Sequence, residues 1–334
     1  MSNKNLHSAK AIKNDEFYTQ YDDIAKEIKY YKEALKGKTV FCNCDDPLKS
    51  NFTKYFFLNF RHFGLKRLIS TFYDINGGKA FVFDYDGKDM DNDGVITEFD
   101  IELICQTGVC QTILVDDEGY NSENKEECWK NGIYGSGDFR SKNVISYLKE
   151  SDIVVTNPPF SLFREYVAQL MEYGKKFIII GNTNVATYKE IFPLIKENKL
   201  WIGVTNYNVG MYFYLPDSYT EYKEIKDGKK IGRVSTSCWW TNIDNKRRNE
   251  IIDLYKKYSP DEYPKYDNYD AIEVSNYQDI PVDYDGVMGV PITFLGHYNP
   301  AQFEIIKFRK GNDEKDLSIN GVCPYFRILI KKIQ

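Results

Sequence analysis

The stretch SDIVVTNPPFSLFREYV, Ser151 to Val167, limits the fold more than any other part of this chain. Ile153, Val154 and Val155 form a short β-branched run that reads as a buried strand. The run stops at Asn157-Pro158-Pro159, because proline cannot donate to a sheet ladder and restricts the residue before it. A stiff loop starts there, carrying an amide and, at Phe160, an aromatic ring. Ligands of open α/β sheets bind outside the carboxyl ends of the strands, so this loop is the first candidate for a site.

The flanking segments supply the rest of such a sheet. Residues 14 to 35 enter as a loop and settle into a helix with Ile24, Ile28, Tyr31 and Leu35 at helical spacing. Lys38 to Asn43 reads as a buried strand closing on Asp45-Asp46-Pro47; Phe52, Tyr55, Phe56 and Phe60 then mark a helix, and Leu65 to Phe72 a strand. This β-α-β order is the signature of a parallel sheet with right-handed crossovers. Residues 79 to 117 read as a hairpin whose arms, KAFVFDYDG and VITEFDIEL, flank a glycine-containing acidic turn. From Ser141 the alternation resumes with a short helix, the 152 to 156 strand, a helix from Leu162 to Tyr173 and the strand Lys176 to Gly181. A helix over 187 to 198 and the strand Leu200 to Val204 follow. The expected fold class is α/β with a Rossmann-like sheet. Past residue 235 the alternation is lost, which divides the chain into a domain over 1–235 and a second region over 236–334.

The 334 residues, 42% of them hydrophobic, suffice for a large core and argue against disorder. No run of about 18 apolar residues occurs, and MSNKNLHSAKAIKND at the start has no apolar segment, so a cytoplasmic protein is expected. The 7 cysteines are an odd number and read as reduced thiols; Cys42-Asn43-Cys44 has no zinc-ligand spacing, and no metal is expected. A net charge of −5 argues against nucleic acid held by bulk attraction, yet local basic patches set phosphate contacts.

In Asn157-Pro158-Pro159-Phe160 an amide oxygen and a carbonyl oxygen, fixed by the prolines, can accept both hydrogens of a planar amino group. The exocyclic amine of adenine is a poor nucleophile because its lone pair is delocalised into the ring. Two acceptors on its hydrogens favour pyramidalisation as a methyl group arrives, without a strong base. Phe160 would stack on the base, which leaves a duplex only by flipping; such stacking is worth roughly 1–3 kcal/mol per base against the cost of extrusion.

This loop resembles the fourth motif, (Asp/Asn/Ser)-Pro-Pro-(Tyr/Phe), of the S-adenosylmethionine-dependent amino methyltransferases. NDEFYTQYDDI, VFCNCDDP, GDFRS, SDIVVTNPPFSLFREY, PKYDNYDAI, DYDGVMGVPITFL and CPYFRILIK extend the likeness, in one consistent order, to the EcoRI-type adenine-specific DNA methyltransferases. It covers nearly the whole chain apart from 79 to 135 and parts of 205 to 235. The resemblance implies S-adenosylmethionine as cofactor, double-stranded DNA as substrate, target recognition by residues 236–334, and a monomer. It also implies a protective role in a type II restriction-modification system, with GAATTC as the expected site, beside an endonuclease acting on the same site without direct contact.

Residue by residue, the resemblance puts Phe17, Tyr18 and Thr19 at the methionine end of the cofactor. Asp46-Pro47 matches an acid-proline pair after the first strand, although the glycines that normally follow are here Leu48, Lys49, Ser50 and Asn51. Asp138, beside Phe139, would accept from the adenosine amino group, with Asp74 a second acid able to reach ribose hydroxyls. Asn157, Pro158, Pro159 and Phe160 would be catalytic. Other readings stay open. Asp46 is also compatible with a simple helix cap. The same loop could hold a protein glutamine amide, and a DNA- or calcium-binding module without turnover could keep the fold.

DMDNDGVITEFD, Asp89 to Asp100, imitates an EF-hand loop, with acids at positions one, three, five and twelve and Gly94 at six. Its twelfth residue is the shorter aspartate and its flanks read as strands, so a solvated hairpin turn is expected. Trp239 and Trp240 read as core rather than as a stacking surface for DNA. Lys307, Arg309, Lys310, Arg327, Lys331 and Lys332 are either phosphate contacts or an ordinary solvated face.

Overall fold

A computed structural model describes residues 18–43, 45–74, 79–215, 219–220, 222–226 and 228–333. Its central sheet has eight strands: β1 (Thr39–Cys42), β2 (Arg67–Asp74), β3 (Lys79–Tyr85), β4 (Gln111–Leu114), β5 (Ile153–Thr156), β6 (Lys176–Asn182), β7 (Trp201–Ile202) and β8 (Ser237–Thr241). Their spatial order is β4-β3-β2-β1-β5-β6-β8-β7. The middle four, β2, β1, β5 and β6, are parallel. The chain therefore winds outward from β1 to β2 on one side and from β5 to β6 on the other, leaving a topological switch point between β1 and β5.

Every residue of β1 and β5 is buried because helices cover both faces of the sheet. Successive side chains alternate between two cores. Val40, Cys42, Ile153 and Val155 face one that contains Ile24, Ile28, Tyr31, Leu35, Phe52 and Phe56. Phe41 and Val154 face the other, with Val144, Leu148, Phe163 and Tyr166. The two apolar helical stripes of the sequence are thus the covers of one face. The helix Phe163–Glu172, which follows the Asn157 loop, is seated by Phe163 on Gly181 of β6, where any β-carbon would overlap the ring.

Three expectations need correction. The two arms expected over 79 to 117 do not pair with each other: β3 lies between β2 and β4, antiparallel to both, and most of VITEFDIEL lies in the helix Glu98–Thr107. A capping box drives this outcome, since the Thr97 hydroxyl accepts from Phe99 N at 3.2 Å and Asp100 accepts from Thr97 N at 2.8 Å. The helix over 187 to 198 is reduced to a 3-10 turn, Thr183–Thr187, and the short helix Phe192–Lys196. The central sheet also draws β8 from beyond residue 235, inserted antiparallel between β6 and β7. Trp239 and Trp240 on β8 are fully buried, one in each core.

Two smaller sheets flank this body. One joins the strand Tyr18–Thr19 to Met211–Leu215, Lys229–Val234 and Glu224–Lys226. The other joins Ile272–Glu273, Met288–Pro291, Arg327–Lys332 and Phe303–Phe308. Much of the basic concentration near the end is neutralised there: Arg309 and Lys310 meet Asp316, Lys332 meets Asp285, and Arg327 meets Glu273. Arg327 is consequently neither a free phosphate contact nor part of a solvated face. No helix among the described residues is long and apolar enough to cross a membrane.

Candidate active site

The switch point brings together two loops that the sequence keeps over a hundred residues apart. The first leaves β1 through Asn43, Asp45, Asp46 and Pro47; the second leaves β5 through Thr156 into Asn157-Pro158-Pro159-Phe160. Paired register Val40 with Ile153 and Phe41 with Val154 sets both carboxyl ends level.

A buried polar knot ties them. Asp45 N donates to Thr71 O of β2 at 2.7 Å, and Asp45 O accepts from the hydroxyls of Thr53, at 3.0 Å, and Ser70. The Asp45 carboxyl meets Ser50 Oγ at 2.5 Å through one oxygen and Thr156 Oγ1 at 2.7 Å through the other. Thr156 Oγ1 also lies 2.6 Å from Asn43 O. Burial pushes the Asp45 pKa up to about 7, against the opposing hydrogen bonds of Ser50 and Thr156 and with a further rise from the charge of Asp46. From the sequence, no functional role falls to Asp45, Thr156 or Ser50. The available signal was hydroxyl and carboxyl residues placed where apolar strands end.

The candidate cofactor residues fall as follows. Tyr18 and Thr19 form the short strand paired with Tyr214 and Phe213, and Thr19 O accepts from Asn51 Nδ2 at 2.7 Å. That bond holds the strand against the start of the helix Asn51–Leu58, at the carboxyl end of β1. Phe17 and the side chain of Asp74 lie outside the described residues. Asp46 accepts from Leu48 N at 2.9 Å and pairs with Lys49 at 3.2 Å, so it shapes its own turn; Ser50, not Asp46, caps the helix. Asp138 is gripped by Arg140, whose Nη2 lies 2.8 Å away, and Arg140 also reaches Glu165. Phe139 points inward and packs edge-on against Tyr166. Pro159 leads into the 3-10 turn Phe160–Leu162, and the half-buried Phe160 ring touches the core that holds Val155.

A polar ligand at this end of the sheet has one buried hydroxyl to meet. Thr19 Oγ1 is buried without a hydrogen-bond partner among the described residues, an uncommon state that a polar ligand would relieve. The glycine cradle is absent at Leu48 to Asn51, and the side chains of Ser50 and Asn51 are engaged with Asp45 and with Thr19 O. A cavity of about 570 Å³ lined by Lys38, Asp152, Lys175 and Lys176 lies at the opposite, amino-terminal end of the sheet and has no part in this arrangement. In the acidic loop, Asp89, Asp91 and Asp93 bring ligand atoms within 4.8 Å of one another, while Asp100 is committed to Met90 N and Thr97 N.

Comparison with known proteins finds likeness over nearly the whole chain. Residues 5–333 match the family described as adenine-specific methyltransferase EcoRI. The chain is 51% identical to the type II methyltransferase M.EcoRI of Escherichia coli, over 99% of this chain and 97% of that protein. It is 38% identical to the type II methyltransferase M.MpnI of Mycoplasma pneumoniae, over 90% of this chain and 84% of the relative. Identity to the type II methyltransferase M.MgeORF184P of Mycoplasma genitalium is 33%, over 98% and 99% of the two chains. No solved structure matches. A Rossmann-like sheet with the Asn-Pro-Pro-Phe loop at its switch point, and these relatives, establish that the chain belongs to the EcoRI family of adenine-specific methyltransferases.

Proposed function

We propose that this enzyme methylates N6 of an adenine flipped out of duplex DNA, as the protective member of a type II restriction-modification system. The carrying observation is the emergence of Asn157-Pro158-Pro159-Phe160 from a fully buried strand at the switch point, beside the loop that follows β1. S-adenosylmethionine, when bound, supplies an electrophilic methyl group. Tyr18, Thr19, the Asp46-Pro47 turn and Asp138 are the residues proposed to hold it, Thr19 through its unsatisfied hydroxyl. Asn157 Oδ1 and a loop carbonyl accept from the adenine amine and direct its lone pair, and Phe160 stacks on the ring. Residues 236–334, apart from β8, are proposed to read the target.

Tritiated methyl transfer tests this reading with four acceptors in parallel: a GAATTC duplex, a duplex with that site scrambled, RNA, and protein containing accessible glutamine. Label in the first alone is expected. Label confined to other duplexes overturns the GAATTC assignment, and label in protein overturns the DNA reading in favour of a glutamine amide.

A further inference from the structure

We propose that Asp45 is the positioning residue of the Asn157 loop and that it acts as a neutral carboxylic acid. This rests on the reading of that loop as catalytic. Thr156, immediately before Asn157, has one hydroxyl proton, yet its Oγ1 lies 2.6 Å from Asn43 O and 2.7 Å from Asp45 Oδ2. A carboxylate leaves one of those close oxygen pairs with no proton between them. A carboxylic acid satisfies both: Asp45 Oδ2–H donates to Thr156 Oγ1, which donates to Asn43 O. The other half of the site agrees, because Ser50 Oγ accepts from Phe52 N at 3.1 Å and is therefore free to donate to Asp45 Oδ1.

The surroundings support the same protonation state. From the helix Asn51–Leu58 and its cap come Ser50 and Thr53, from β2 Ser70 and Thr71, and from β5 Thr156. All are hydroxyl or backbone groups without charge. The titratable neighbours are Asp46 on its own loop, whose charge disfavours ionisation, and the buried Cys42 thiol at the end of β1, itself pushed up by burial and then by Asp45. A proton on Asp45 therefore links β1 to the last residue before Asn157. Its departure as pH rises breaks that link and releases the loop.

The sign of the stability effect follows from a folded pKa of about 7 against an ordinary 3.8. The contribution of Asp45 is fully present below 3.8 and is lost as pH rises to about 7. Asparagine can make the same bonds, donating from Nδ2 to Thr156 and accepting from Ser50, and it does not titrate. The test compares wild type, Asp45→Asn, Asp45→Ala and Asn157→Ala by single-turnover methyl transfer and by thermal melting across pH. Wild-type transfer is expected to decline as pH rises through about 7, while Asp45→Asn stays level and retains wild-type rate below it. Asp45→Ala is expected to lose about a hundredfold in rate at every pH, with affinities for DNA and cofactor within a few fold. The melting temperature of Asp45→Asn is expected to gain on wild type between pH 3.8 and about 7 and to hold that gap above it.

Asp45→Asn falling with Asp45→Ala, or keeping the wild-type alkaline decline, overturns the proposal. Parallel melting curves for wild type and Asp45→Asn overturn it independently of any activity. Should Asn157→Ala retain full transfer, the catalytic reading of the loop fails instead, and the melting comparison still decides the proton.

Discussion

Two regions of this molecule each bury a carboxyl group, and they resolve the cost of doing so in opposite ways. At the carboxyl end of the central sheet, Asp45 is surrounded by hydroxyls and peptide groups. In the C-terminal sheet, Glu273 is only 6% exposed and meets Arg327 through Nη2 at 2.6 Å and Nε at 2.9 Å, with the hydroxyls of Tyr266 and Ser275 beside it. A guanidinium that holds a carboxylate through two nitrogens fixes its direction and makes a static strut. Hydroxyls fix only geometry, so the proton stays exchangeable near neutrality. The rigid solution belongs to a separate sheet and the titratable one adjoins the proposed catalytic loop, which fits a frame in one region and an adjustable loop in the other.

The strongest way to break this comparison is Arg327→Ala. Removing one partner of a buried pair leaves the other uncompensated, and a loss of about 3–5 kcal/mol in unfolding free energy is expected by denaturant titration. Replacing Arg327 and Glu273 together by apolar residues of similar size is expected to cost far less. If the single and double replacements cost the same, the pair is not the strut described here.

Next in size is Asn157→Ala, which removes an acceptor aimed at the reacting amine. A loss on the order of 3 kcal/mol, about a hundredfold in single-turnover rate, is expected. Cofactor affinity and melting temperature should change little, in contrast to Arg327→Ala, where stability is the leading defect. Unchanged transfer would remove the amide from the mechanism.

The smallest effect sharpens the comparison through a third carboxyl. Asp100 is buried as well, but it is satisfied by the backbone amides of Met90 and Thr97, and these bonds outweigh burial to hold its pKa below the ordinary value. Its contribution is therefore present above 3.8 and lost as pH falls through its folded value, the reverse of Asp45. Thr97→Ala removes the cap acceptor for Phe99 N and the hydroxyl's own bond to Asp100 Oδ2, and is expected to cost about 1 kcal/mol, read by denaturant titration. A cost several times larger would mean that the acidic loop, rather than the cap, depends on Thr97.

The contrast also explains what was legible in the sequence. The parallel strands could be read because burial on both faces forces unbroken apolar runs, and the Asn157 loop because two prolines end such a run abruptly. The helix Glu98–Thr107 was hidden by an alternating pattern that suits a strand equally well; Thr97 and Asp100 decided the matter locally. Strand β8 escaped because its partners, β6 and β7, precede it on the far side of a separate sheet. Asp45 could not have been found by spacing, since Thr156 stands 111 positions away, and Arg327 lies 54 positions from Glu273. Such partners are chosen by the fold and leave no periodic trace.

The insertion of β8 between β6 and β7 has a consequence for synthesis. Translation is vectorial, and a nascent chain that has not reached Thr241 presents β6, with Ile178, Ile179 and Ile180, as an open edge. β7 meanwhile waits for its neighbour, because among the described residues it pairs with β8 alone. A ribosome that stalls between residues 202 and 237 thus holds a nearly complete sheet whose apolar border is unsealed and prone to adhere to other chains. The polypeptide must be almost three-quarters made before its largest sheet can close.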